Sequence, residues 1–158
     1  MVTAKAARRR RRVAVREEYC IGCRLCEVAC VTRHSRSRDV VAAHKTESPR
    51  PGGGVRFEAA GPVSLAVSCR HCADPLCVEA CLTGAMARDP GTGRVVHDPA
   101  RCVGCWMCVM TCPTGVPRPD PAAHRLAFKC DLCGGDDLPA CVAACPNAAA
   151  VLVEEDEP

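Results

Sequence analysis

The sequence predicts an α+β fold of two pseudosymmetric modules, the second nested within the first, and three observations carry that prediction. The 158 residues include 16 cysteines but only one Trp, one Tyr and two Phe, so a large apolar core cannot be what holds the chain together. The cysteines fall into four groups of four with none left over. Between the two middle groups, residues 82–99 read as a strand, a Pro/Gly turn and a second strand, which joins those groups into one compact unit.

The groups are Cys20, Cys23, Cys26, Cys30; Cys69, Cys72, Cys77, Cys81; Cys102, Cys105, Cys108, Cys112; and Cys130, Cys133, Cys141, Cys145. Each opens with C-x2-C and closes with C-x3-C, and only the middle interval varies. Disulfides, zinc and iron–sulfur clusters all use dense cysteine. No apolar stretch of signal-peptide length follows the Arg8–Arg12 run, so export is not expected and a reducing cytoplasm is the expected location, where thiols serve as ligands. No run of 18 apolar residues predicts a membrane span. A tetrahedral zinc site needs two Cys pairs and leaves the third and fourth Cys of each group without a role.

Iron–sulfur cubanes use them all. Three thiolates of C-x2-C-x2-C converge from one tight loop, and in two-cluster ferredoxins the fourth Cys of each run serves the other run's cluster. Four groups therefore imply two such exchanges and four [4Fe-4S] clusters, housed in two 2[4Fe-4S] ferredoxin-like modules. A ferredoxin joins its two runs by a hairpin, so groups two and three form an inner module of about residues 69–117. Groups one and four are left to pair around it, as an outer module of about 13–35 plus 118–153. The echoes Cys20-Ile21-Gly22-Cys23 with Cys102-Val103-Gly104-Cys105, and Pro75-Leu76-Cys77 with Pro139-Ala140-Cys141, predict the pseudosymmetry. Short helices are expected after the C-x3-C cysteines.

The runs Cys20-Ile21-Gly22-Cys23-Arg24-Leu25-Cys26 to Cys30, Cys69-Arg70-His71-Cys72 to Cys77-Val78-Glu79-Ala80-Cys81, Cys102-Val103-Gly104-Cys105-Trp106-Met107-Cys108 to Cys112-Pro113, and Lys129-Cys130-Asp131-Leu132-Cys133 to Cys145-Pro146 resemble the four-cluster subunits of the dimethyl sulfoxide reductase and formate dehydrogenase type. Within that family the sequence is most similar to the carbon monoxide dehydrogenase iron–sulfur protein and its relatives. The resemblance covers residues 13–153 and implies a nested ligation. Cys20, Cys23, Cys26 and Cys145 would hold one cluster, and Cys130, Cys133, Cys141 and Cys30 its neighbour. Cys69, Cys72, Cys77 and Cys112 would hold a third, and Cys102, Cys105, Cys108 and Cys81 the fourth. Group one departs from the pattern at Val31 and group two at Leu82, where groups three and four have Pro113 and Pro146.

With every iron capped by a protein thiolate, no catalytic centre is expected. The implied function is relaying single electrons between a catalytic oxidoreductase subunit, of the carbon monoxide dehydrogenase, formate dehydrogenase or hydrogenase kind, and a second redox partner. The alternative is an iron–sulfur or zinc interaction module with no electron-transfer role. Residues 1–12 carry +6 of the net +3 and residues 154–158 carry −4. They read as a basic disordered tail and an acidic tail. With aromatics and a recognition helix absent, the arginines are not read as a nucleic-acid contact. His34, His44, His71, His97 and His124 read as solvated or as flanking the clusters, His71 most clearly the latter. Trp106, Met107 and Met110 read as cluster packing. Residues 36–68 read as a polar insert with a short strand at Val55–Phe57, available for partner binding.

Overall fold

The structure, a computed structural model, describes residues 9–48, 51–119 and 127–156. Strand β1 (Arg9–Val15) runs through a tight turn at Glu17–Tyr19 into the first cysteine loop, which leads into helix α1 (Leu25–His34). Strands β2 (Val55–Ala60) and β3 (Val63–Ser68) follow, then helix α2 (Leu76–Glu79). Strands β4 (Met86–Arg88) and β5 (Val95–His97), helix α3 (Met107–Thr111), and the short pair β6 (Arg118–Pro119) and β7 (Ala127–Phe128) come next. Helix α4 (Ala140–Ala143) and strand β8 (Ala150–Asp156) complete the order. Among the described residues no helix is long and apolar enough to cross a membrane.

The hairpin expected between the middle groups forms, with Met86 opposite His97. Asp89 organises its turn by accepting the amides of Gly91 at 2.8 Å and Thr92 at 3.0 Å, as a short acidic side chain does at a turn's first position. A second antiparallel pair joins the chain's two ends: β1 lies on β8 with Val15 opposite Ala150 and Arg9 opposite Asp156.

That pairing corrects the reading of both tails. Residues 9–12 and 154–156 are strand, and the rest of each tail lies outside the described residues. Alternate residues share a strand face, so Arg10 and Arg12 both reach Glu155, while Arg11, on the other face, reaches Glu154 at 3.3 Å and the Asp137 carbonyl at 2.8 Å. Opposite charges stacked across a ladder favour pairing where either segment alone would stay solvated.

The insert also differs from its reading as a polar loop. Its short strand extends to Ala60 and pairs with β3, turning through two residues led by Gly61 at φ +60°, a conformation glycine adopts without strain. The hairpin packs on β1 and α1, and Val55 and Ala66 join Val13, Cys30, Cys130, Leu132, Cys141 and Ala150 in one small buried core.

The helices contain cysteines where the sequence suggested that they follow them. Cys26 and Cys30 lie within α1, and Cys77, Cys108 and Cys141 lie in α2, α3 and α4, whose ends lead into Cys81, Cys112 and Cys145. Four residues make about one helical turn, so C-x3-C is itself a helix-forming spacing that sets two thiols on one face. Helix α1 packs on α4, and α2 packs on α3.

Removing residues 1–12, which takes away Arg9–Arg12 of β1, is expected to lower the melting temperature by about 2–4 °C for each kcal/mol of stability lost. The guanidinium groups of Arg12 and Arg10 hold the Glu155 carboxyl at about 2, below its usual 4.5. Its contribution is complete above pH 4.5 and is lost as pH falls through 2. The melting difference between wild type and Glu155→Gln should therefore stay constant from about pH 6 to 8 and shrink in ~1 M salt.

Candidate metal centres

Each cysteine loop is built by backbone turns that aim amides inward. The second spacer residue of each group's opening C-x2-C has positive φ: Gly22 at +68°, His71 at +46°, Gly104 at +70° and Leu132 at +56°. Gly carries this freely, whereas His71 and Leu132 are held there by burial, at 0% and 2% exposure. Left-handed turns of this kind gather successive N–H groups into a concave, anion-binding nest. Three of the closing cysteines are followed by a further such turn, in which the amides of Gly84, Gly115 and Ala148 donate to the carbonyls of Cys81, Cys112 and Cys145. Group one lacks this turn because α1 continues past Cys30 to His34.

Sulfur atoms in groups one, two and four receive backbone amides. His71 donates to Cys69 Sγ and Leu132 to Cys130 Sγ, each at 3.4 Å. Met86 donates to Cys81 Sγ at 3.3 Å, Ala150 to Cys145 Sγ at 3.4 Å and Gly54 to Cys30 Sγ at 3.2 Å.

The sixteen thiols are free and gather in four sets. Cys20, Cys23, Cys26 and Cys145 line a hollow walled by Phe57 and Val15. Cys69, Cys72, Cys77 and Cys112 line a second, beside Lys129. Cys81, Cys102, Cys105 and Cys108 line a third, against Trp106 and Met107. Cys30, Cys130 and Cys141 share one buried core, and Cys133, also buried, lies near Cys30 and Cys141. Met110, expected as packing, faces outward at 80% exposure.

Electrostatics separates these thiols from ordinary ones. Burial, with Cys30 and Cys133 nearby, pushes the Cys141 thiol up to about 12, and burial raises Cys26 and Cys77 to about 11. Such groups hold their protons at neutral pH until a cationic centre displaces them. Cys81 and Cys112 go the other way: against burial, the Met86 amide and the Thr114 hydroxyl lower them.

Among the described residues no three His, Cys, Asp or Glu side chains converge as a single ion requires. Thiols in fours around a hollow, with amides aimed at sulfur, instead fit a polynuclear iron–sulfur group, whose sulfurs take N–H donors and whose irons take thiolate.

Several flanking residues were not legible from sequence. His34 donates Nδ1–H to the Cys30 carbonyl at 2.8 Å and Nε2–H to Asp131 at 3.0 Å. The Asp131 bond raises the imidazole to about 11; against its own burial, His34 in turn holds Asp131 at about 2. Arg118 donates to the Gly53 and Val55 carbonyls, fixing the approach to Cys30. His71 is fully buried and accepts the Val95 amide on Nδ1 at 3.1 Å; His44 meets the Val40 carbonyl, and His97 lines the Cys81 hollow. His124 lies outside the described residues.

The model of the 4Fe-4S dicluster domain matches residues 63–155, a span holding the last three cysteine groups. The electron transport protein HydN of Escherichia coli K12 is 38% identical over 154 residues, covering 87% of this chain and 85% of that protein. An "iron-sulfur protein" of Rhodospirillum rubrum is 34% identical, with 88% and 80% covered. The polyferredoxin-like subunit of the aliphatic sulfonate oxidoreductase of Pyrococcus furiosus is 37% identical, with 86% and 72% covered. In fold, the chain is similar to a chain of the active-site complex BamBC of benzoyl coenzyme A reductase, with a TM-score of 0.51, 19% identity, and 96% of this chain and 83% of that one covered.

A methyl on Gly54 would stand 2.5 Å from Cys130 Cα and 2.6 Å from its N. Gly54→Ala is therefore expected to lose about four irons per chain, one cubane's worth, in an iron assay. Gly61→Ala, with nothing within 4 Å, should keep its iron at a cost of about 1–2 kcal/mol in backbone strain.

Proposed function

The chain belongs to the 4Fe-4S dicluster domain family, and from that premise we propose that it carries four [4Fe-4S] clusters and relays single electrons between a catalytic oxidoreductase subunit and a second redox partner. The observation that carries this reading is the sorting of sixteen thiols into four hollow-lining or co-buried sets. That sorting supports the nested ligand scheme implied by the motif resemblance. When bound, a [4Fe-4S] cluster supplies one-electron oxidation and reduction.

Each C-x3-C step gives its two thiols to different sets. Cys26 and Cys30, and likewise Cys141 and Cys145, link the Cys20 set to the Cys30 set; Cys77 and Cys81, with Cys108 and Cys112, link the Cys69 set to the Cys81 set. Lys129 spans the remaining gap, lining the Cys69 hollow while bonding the Cys130 carbonyl. The sets therefore form a row, with the two exposed thiols, Cys23 and Cys105, in its first and last members. An electron carrier needs closely spaced centres with accessible ends, and this order meets that need.

Two nested, pseudosymmetric modules are part of the same reading. Strand β4 leaves group two and pairs with β5, which enters group three; β8 leaves group four and pairs with β1, which enters group one. The four residues before Cys20 and before Cys102 make the same tight turn. The names of the relatives favour a redox role beside an oxidoreductase, and the motif runs favour a subunit of the dimethyl sulfoxide reductase and formate dehydrogenase type, near the carbon monoxide dehydrogenase iron–sulfur protein. With all thiols committed as ligands, the reading assigns the chain no catalytic centre, and it calls for a reducing compartment such as the cytoplasm.

Dithionite should reduce the purified protein reversibly, with EPR signals of reduced cubanes that vanish on reoxidation. Bound iron that undergoes no reversible reduction, or zinc in its place, would instead support a purely structural module.

A further inference from the structure

Lys129 is an unusual residue to find inside a protein. It is 6% exposed, and lysine is seldom buried without a specific partner. Its Nζ donates to the carbonyls of Val95 and Cys130, the latter at 2.6 Å. An ammonium has three N–H donors, so among the described residues one is left over. The side chain also lines the hollow of Cys69, Cys72, Cys77 and Cys112.

The grip on Val95 is two-sided. Val95 is 1% exposed; its carbonyl takes Lys129 and its amide donates to His71 Nδ1 at 3.1 Å. His71 sits within the Cys69–Cys72 loop, Lys129 directly precedes the Cys130–Cys133 loop, and Val95 belongs to the hairpin between them. The lysine is thus fixed by backbone atoms at the seam of the two central thiol sets. Nothing in its bonding pattern resembles an ion pair: among the described residues its acceptors are carbonyls, which leave its charge uncompensated.

A buried, uncompensated cation suits a neighbour that is strongly anionic. A cubane with four thiolates carries about −2 when oxidised and gains one more negative charge on reduction, so a fixed positive charge favours the reduced state.

Resting on the four-cluster reading, we propose that Lys129 is a fixed counter-charge for the two central sites, raising the reduction potential of the cluster held by Cys69, Cys72, Cys77 and Cys112 and of its neighbour held by Cys30, Cys130, Cys133 and Cys141. It acts as a positioning residue for charge, holding the middle of the row open to an incoming electron. Lys129 lines neither outer hollow, so its charge acts less on the two outer sites.

The test is an EPR-monitored redox titration of full-length protein carrying Lys129→Arg, Lys129→Gln or Lys129→Met, with iron and sulfide assayed on each. Wild type with four reducible cubanes establishes the underlying reading; wild type without them refutes that reading, and the inference with it. Given four cubanes, Gln and Met should move two of the four potentials to more negative values while Arg leaves them near wild type. Loss of iron in Gln and Met but not in Arg also supports a requirement for the charge. Unchanged potentials in Gln and Met, an equal shift of all four, or Arg behaving as Gln does would overturn the proposal.

Discussion

The rest of the structure depends on the geometry of one helical turn. A C-x3-C step sets two thiols about one helical turn apart, with about 5–6 Å between Cβ atoms, and each such step divides its thiols between two neighbouring sets. Four such steps occur, in α1 and at α2, α3 and α4. Helix packing follows from it: α1 lies on α4 and α2 on α3 because each pair serves the same two thiol sets. The small strands then need only to close the loops.

Charge is the second constraint. Many of these thiols are pushed upward by burial, so they hold their protons until a cationic metal centre displaces them. Once iron is bound, the thiolates and sulfides make the interior anionic, and amides, hydroxyls and the buried Lys129 are arranged to meet that charge. The outer surface shows the opposite economy of means: the strongest charges on the chain, at its two ends, are spent on each other across β1 and β8.

The sequence already made much of this visible, and for a physical reason. Ligand spacing is local, so the four groups and the hairpin between Cys81 and Cys102 can be read from neighbouring residues alone. Long-range pairing cannot. The arginine run looked like a solvated tail because its partner, Glu154–Asp156, lies at the opposite end of the chain; only their opposite charges hinted at a ladder. Likewise Val55–Ser68 reads as polar filler until its contacts with Cys30 and Cys130 are seen, and Gly54 gives no sign in sequence that its missing side chain makes room for Cys130. Nothing in the sequence marks Lys129 as buried, since burial is a property of the packed chain. The offset of the helices arose from treating C-x3-C as a ligand spacing only, when it is a helical spacing as well.

The central claim is that the sixteen thiols form four cubane sites, two more than a dicluster domain by itself requires. Mössbauer spectroscopy on anaerobically purified, ⁵⁷Fe-labelled protein, calibrated by protein and sulfide assays, tests it most directly. The account predicts about 16 irons per chain with a matching amount of sulfide, all in the quadrupole doublets of [4Fe-4S] centres. About eight irons, or iron in mononuclear thiolate sites, would contradict it.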